Sequence, residues 1–212
     1  MELKPHELYE ELVESRKNLD EYFELFIKAT KSTLEDTLIT TDFFIVAVSQ
    51  RSIDIIEAYK QVIDSWNITS AGPLIRMQLD NLLRLVYISK ISNSDEITLE
   101  LFNGKSFYDF IDSEGKRLTD VRLRQHARDH YPWIDEIYKK ASKFIHFSEF
   151  HMRIPIDESD KDRTIAFSIR KPAPDKVSRE DIKSYFEIMN LITNEILRYI
   201  YSWAKHKKDK YE

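Results

Sequence analysis

Glycine occurs three times in this chain of 212 residues, proline six times and cysteine not at all. Glycine supplies the positive-φ turns and close backbone approaches on which tight hairpins and phosphate loops depend. A chain this poor in it has little material for Gly-rich phosphate loops, dinucleotide fingerprints or sandwiches of many short strands. The missing cysteine removes thiol catalysis, disulfide frameworks and Cys-ligated zinc. Helix is what remains. With 42% hydrophobic and 12% aromatic residues there is enough apolar surface for a core, and 33% charged residues suit the outer faces of amphipathic helices. The length fits one domain over 1–212. The expected fold is mainly α, a helical bundle with long antiparallel helices and one accessory β-hairpin.

Hydrophobic spacing places the elements. Leu8, Leu12, Leu19, Tyr22, Phe23, Phe26 and Ile27 recur at helical intervals behind Pro5, which predicts a helix over 5–31. A Gly- and Pro-free run predicts a second over 34–65, and Gly72-Pro73 a turn before a third over 73–91. A short helix near 95–102, capped by Ser94, and one over 120–128, capped by Thr119, follow; Pro132 opens another over 132–147. The pattern then changes to period two. Phe150 to Ile156 and Thr164 to Arg170 read as the two strands of a hairpin at about 150–170, which must pack on helices to be stable. Ser178 caps a last helix over 178–206, whose Ile182, Tyr185, Met189, Ile192, Ile196, Tyr199 and Trp203 form a seam of near-heptad spacing. That seam and the length of the second helix predict a homodimer. The charged tail KHKKDKYE predicts frayed ends.

The N-terminus is charged from its second residue, and the longest uncharged apolar stretch, Phe43 to Val48, is far too short to span a membrane. These features predict a cytoplasmic protein without a membrane partner. The net charge of -5 argues against nucleic-acid binding by bulk charge, leaving local basic patches.

The third helix is the most informative segment for chemistry. It is apolar on most sides, the mark of a buried central helix. Yet Arg76, Asp80 and Arg84 stand at successive i, i+4 positions beside Tyr87. Buried charges must be paired, so the stripe either holds the bundle together or lines a cleft. A second segment, YKKASKFIHFS, sets Ser142 and His146 four apart. There His146 is either a surface residue favoured by a helix C-terminus or a general acid or base with Ser142 beside it.

The run GPLIRMQLDNLLRLVYIS followed by YKKASKFIHFS resembles an all-helical bacterial family of unknown function. In that family a helix bearing Arg and an acid four residues later precedes a helix with Ser-x-x-x-His. The matching positions are Arg76, Asp80, Ser142 and His146, with Asp80 where the family often has Glu. The chain is also remotely similar to HEPN domains, helical bundles that often act as metal-independent ribonucleases in toxin and phage-defence systems. Their mark, an Arg followed four to six residues later by His on one helix, occurs here as Arg124 and His130 rather than in the Arg76–His146 pairing.

Other arrangements carry less. His126 and His130, with Asp129 nearby, could share a metal on one helix face, but the basic segment RLRQHARDH also reads as a solvated face or, with Arg117, a phosphate-binding one. No Gly-x-Ser-x-Gly elbow supports a hydrolase triad. No cofactor and no metal are expected. Two functions stay open: a non-catalytic interaction or regulatory module with an internal Arg/Asp/His cluster and an RNA or protein partner, or a HEPN-like ribonuclease. In either, His146 is expected to approach the Arg76–Asp80 stripe, as a polar clasp between two helices in the first and as a general acid or base in the second.

Overall fold

The helix predicted as central is the axis of the molecule. In the computed structural model, which describes residues 3–35, 37–157 and 164–211 (208–211 without their side chains), α4 spans Ile68–Lys90. Leu79, Leu82, Leu83 and Val86 are fully buried, and Ile75, Leu85 and Ile88 nearly so. Each such side chain contributes about 1.5–3 kcal/mol relative to exposure, enough for α4 to carry a polar stripe into the core if the stripe is paired.

Eight further α-helices surround it among the described residues: α1 (Pro5–Leu8), α2 (Val13–Leu34), α3 (Thr40–Asp64), α5 (Ser94–Phe102), α6 (Asp120–Ala127), α7 (Ile134–Ser142), α8 (Glu149–Arg153) and α9 (Arg179–Tyr211). The protein is a mainly α helical bundle. Helix α4 packs on α3, α9, α6 and α7, while α2 packs on α3 and α9. Ion pairs of Arg16 with Asp64 and of Lys60 with Asp20 show α2 and α3 running antiparallel. Contacts of α9 with α2 advance in step, from Tyr22–Asn190 to Thr33–Lys207, so those two run parallel. The long excursion between α4 and α9 makes that return possible.

Several boundaries differ from the sequence expectation, each for a local reason. The helix expected over 5–31 is broken: Tyr9 takes an extended conformation (φ -124°, ψ 109°), and a 3-10 turn, Glu10–Leu12, re-starts the chain. Helix α3 begins at Thr40, where the Asp42 carboxylate accepts the Ile39 N–H at 3.0 Å. Helix α4 begins before its proline, because Asn67 caps it by accepting the Ser70 N–H at 3.1 Å. Pro73 sits in the second turn of α4. The predicted strand over Phe150–Ile156 is mostly α8, opened where the Ser148 N–H donates to His151 Nδ1 at 3.1 Å. The hairpin exists but is short: β1 (Ile156–Asp157) pairs antiparallel with β2 (Ala166–Phe167), Ile156 opposite Phe167. The loop DESDKDR lies largely outside the described residues.

The seam of α9 is core rather than an outer surface: Ile182, Met189, Ile192 and Ile196 are fully buried among the other helices. It therefore gives no reason for a dimer. Nor does α9 fray where expected. Lys207 is buried, its Nζ 2.9 Å from the equally buried Asp42, which also accepts Trp203 Nε1–H at 2.9 Å.

One close approach sets where α7 and the segment after it lie. A Cβ on Gly72 would fall 2.5 Å from the Phe144 ring, and Phe144 in turn packs edge-on to Phe150 and Tyr185. Gly72→Ala should therefore destabilise the fold by about 1–3 kcal/mol despite alanine's better helix propensity. Combining it with Phe144→Leu should recover part of the loss, as read by thermal unfolding. A Gly72→Ala protein at least as stable as the parent would show that the contact is loose.

Candidate functional site

The α4 stripe becomes an arginine lattice through partners on three other helices. Asp80 is met by Arg84 on its own helix, by Arg76 Nη1 at 3.8 Å and by Arg51 Nη1 of α3 at 3.4 Å. Arg51 also donates to Asn81. Arg76 turns its other nitrogen, Nη2, to Asp120 at 2.5 Å, and the Tyr138 hydroxyl donates to the same Asp120 oxygen at 3.2 Å. Thr119 caps α6 by accepting the Arg122 N–H at 3.3 Å, which sets Asp120 in the first turn, where its charge suits the helix dipole as well as Arg76. The guanidinium carbons of Arg76 and Arg124 each lie 4.0 Å from the Tyr138 ring centre. Arg124 pairs with Asp135, which also holds Arg128 Nε at 2.5 Å. Helices α3, α4, α6 and α7 are thus joined through one polar seam.

The seam carries more cations than carboxylates, and Arg84 shows it. Burial, together with the charges of Arg51 and Arg76, brings the Arg84 guanidinium down to about 10, against the opposing pull of Asp120. Arg51 is lowered for the same reasons, burial first and then Arg76. A cleft of about 370 Å³ reaches Arg84 and Asp120 from the side of Ser106 and Thr119.

Of the residues predicted from sequence, Arg76, Asp80 and Arg84 are brought together. His146 is not brought to them. Helix α7 ends at Ser142, and tight turns follow, with Phe144 N–H on the Ala141 carbonyl and Ile145 N–H on the Ser142 carbonyl, both at 3.2 Å. Helix α7 crosses α4 so that Tyr138 meets Arg76 while Phe144 meets Gly72, one turn nearer the start of α4. His146 lies past that contact, exposed, with no hydrogen bond or ion pair to Arg76 or Asp80. Ser142 is half-buried at the helix end.

The other pair separates too. Arg124 is held inside the lattice, whereas His130 lies in the turn after α6, in a groove with Tyr131, Glu195 and Arg198. His126 turns away from His130, its Nε2 3.2 Å from Asp112. No group of three or more residues fit to hold a metal ion occurs among the described residues. The sequence reading missed Arg51, Asp120, Asp135 and Tyr138 as members of the seam. Asp120, the first residue after a capping Thr, was the most legible of them. Among the described residues no helix is long and apolar enough to cross a membrane.

No family model, no curated protein and no solved structure matches the chain.

A lattice with surplus cations makes an unequal prediction for its members. Asp80→Asn leaves three guanidinium groups around a neutral amide and should cost about 3 kcal/mol, since breaking a buried pair strands the remaining charge. Arg84→Met removes the surplus cation and should change stability by less than about 1 kcal/mol. Chemical denaturation measures both; equal losses in the two variants would contradict the lattice.

Proposed function

We propose that the protein is a non-catalytic interaction module, with the arginine lattice as its internal clasp and the outer face of α8 and the hairpin as its docking surface. The observation that carries this reading is the engagement of the arginines. Arg76 has a side chain only 8% exposed and is held by Asp120, Asp80 and the Tyr138 ring. A ribonuclease of the HEPN kind needs an Arg and a His free to meet one phosphate, to stabilise its charge and to move a proton. Here both candidate Arg–His pairs point into different surroundings.

The docking surface follows from an inverted alternation. Through β2 and the residues flanking it, Ile165, Phe167 and Ile169 are 68%, 70% and 101% exposed, while Ala166 and Ser168 between them are half-buried. A strand that shows its hydrophobic set to water is built to be covered. Ile156, opposite Phe167, shares that face, and Phe147, 82% exposed, stacks on His151 nearby in sequence. Ile145 and Met152, 51% and 63% exposed, add apolar surface on the segment that leads into the hairpin. A second copy of the chain is the occupant that such a patch fits when the same residues meet across a two-fold axis.

Light scattering should give twice the 25.3 kDa chain mass for the parent. It should give the monomer mass for a variant carrying Ile165→Ser, Phe167→Ser and Ile169→Ser, with its unfolding temperature nearly unchanged. The parent should leave single-stranded RNA intact. A monomeric parent would remove the docking surface. RNA cleavage lost in His146→Ala or Arg124→Gln, at unchanged melting temperature, would replace the module by the nuclease.

A further inference from the structure

Helix α3 ends in a turn of the kind that ordinarily takes glycine. The Trp66 N–H donates to the Ile63 carbonyl at 3.0 Å and the Asn67 N–H to the Val62 carbonyl at 2.9 Å, the paired bonds of a Schellman motif. The motif sets Trp66 in the left-handed region at φ 61°, where only glycines join it among the described residues. A bulky side chain there is strained, and such strain persists only where the surroundings impose it. They do: Trp66 Nε1–H donates to the Leu3 carbonyl at 2.8 Å, and the indole meets the Tyr9 ring edge-on, with centres 6.3 Å apart. Glycine would remove the strain and, with it, the indole.

Trp66 is one wall of a cleft of about 260 Å³ between the start of α4 and the hairpin. Ile68, Phe150, Ile154, Ile169 and Val177 line it as well. Phe150 is set edge-on against Phe144, with centres 4.8 Å apart. The Ser168 N–H, on the Pro155 carbonyl at 2.9 Å, ties the hairpin to the chain just after α8. Two cations at the cleft already have partners. Lys176 pairs with Asp157 and donates to the Ile156 carbonyl at 2.6 Å, and Arg170 pairs with Asp175. Asn67 is engaged as the cap of α4, on the Ser70 N–H at 3.1 Å. Thr69 and Lys171 are exposed to water. What the cleft offers a ligand is apolar contact, and water gains little in such a space because each molecule needs two or more polar partners.

We infer that this cleft binds a neutral, largely apolar small molecule, held against the Trp66 indole on one side and Phe150, Ile154 and Val177 on the other. The size follows from the volume. An apolar cavity of about 150 Å³ stays dry and accepts benzene. The larger space here suits a molecule of about two fused rings. Neutrality follows from the pairing of Lys176 and Arg170, since a charged ligand would be desolvated beside cations that already have their carboxylates. The strained turn then has a use, because it places an indole where glycine would leave the cleft without that wall. The site does not rest on the docking surface. Ile169 is the residue named in both, and the test leaves it unaltered.

The test is titration of the full chain with 2-naphthol and, in parallel, 2-naphthoate, read by NMR at the indole N–H resonances of Trp66, Trp133 and Trp203. The neutral probe should shift the Trp66 resonance with a Kd below about 1 mM and leave the other two in place, and the carboxylate should bind at least about tenfold more weakly. Val177→Phe and Ala173→Leu each enlarge a side chain that lines the cleft and should weaken 2-naphthol by about tenfold or more. An unmoved Trp66 resonance with about 3 mM 2-naphthol would overturn the proposal, and so would a shift confined to Trp133 or Trp203. Those two outcomes decide the matter in the parent, even if neither variant folds. Parental affinity in both variants, with the Trp133 and Trp203 resonances showing an intact fold, would also overturn it. Tighter binding of 2-naphthoate would overturn the assignment of a neutral ligand.

Discussion

Asp80 is one carboxylate among three guanidinium groups on the most buried helix of the molecule. The arrangement has a physical cause. Helix α4 is surrounded by α3, α6, α7 and α9, so almost every side chain it presents must be apolar. The one stripe that is not apolar needs partners wherever a neighbour covers it. Arg76 reaches across to Asp120 of α6 and lies on Tyr138 of α7, while Asp80 draws in Arg51 from α3. Apolar packing gives the bundle its stability, and the polar seam selects which residues of α6 and α7 face α4.

The central helix and its stripe were legible in the sequence because both rest on a periodicity of 3.6. Partners were not, since nothing in a sequence states which residue 44 positions away will face Arg76. Other misreadings have the same root in tertiary contact. Phe150 and Ile154 fit period two within their segment, yet they are also four apart, and packing of Phe150 on Phe144 selected the helix. The seam of α9 looked like a dimer surface because a heptad pattern reads alike whether its partner is another copy or the chain's own α2 and α4. Lys207 sat in a run of charges that a sequence assigns to solvent, but Asp42 takes it inside.

The same reasoning separates the polar lattice from the apolar hairpin by what each lacks. In the lattice Arg76 and Arg124 are engaged with carboxylates and a ring, which describes a clasp. On the hairpin, Ile165, Phe167 and Ile169 lack cover, and only another surface supplies that. His126 was visible in the sequence as one of a pair with His130. Its actual partner, Asp112, stands in the irregular stretch between α5 and α6, where turn chemistry rather than periodicity places a side chain.

The claim on which the account turns is that the α4 seam is a structural clasp. A double-mutant cycle between Arg76→Met and Asp120→Asn, read by chemical denaturation, tests it most directly. The clasp predicts a coupling free energy above about 1 kcal/mol between the two positions, with helix content unchanged in all four proteins. Effects that add to within about 0.5 kcal/mol would mean that the two side chains do not hold α6 to α4, and would contradict the account.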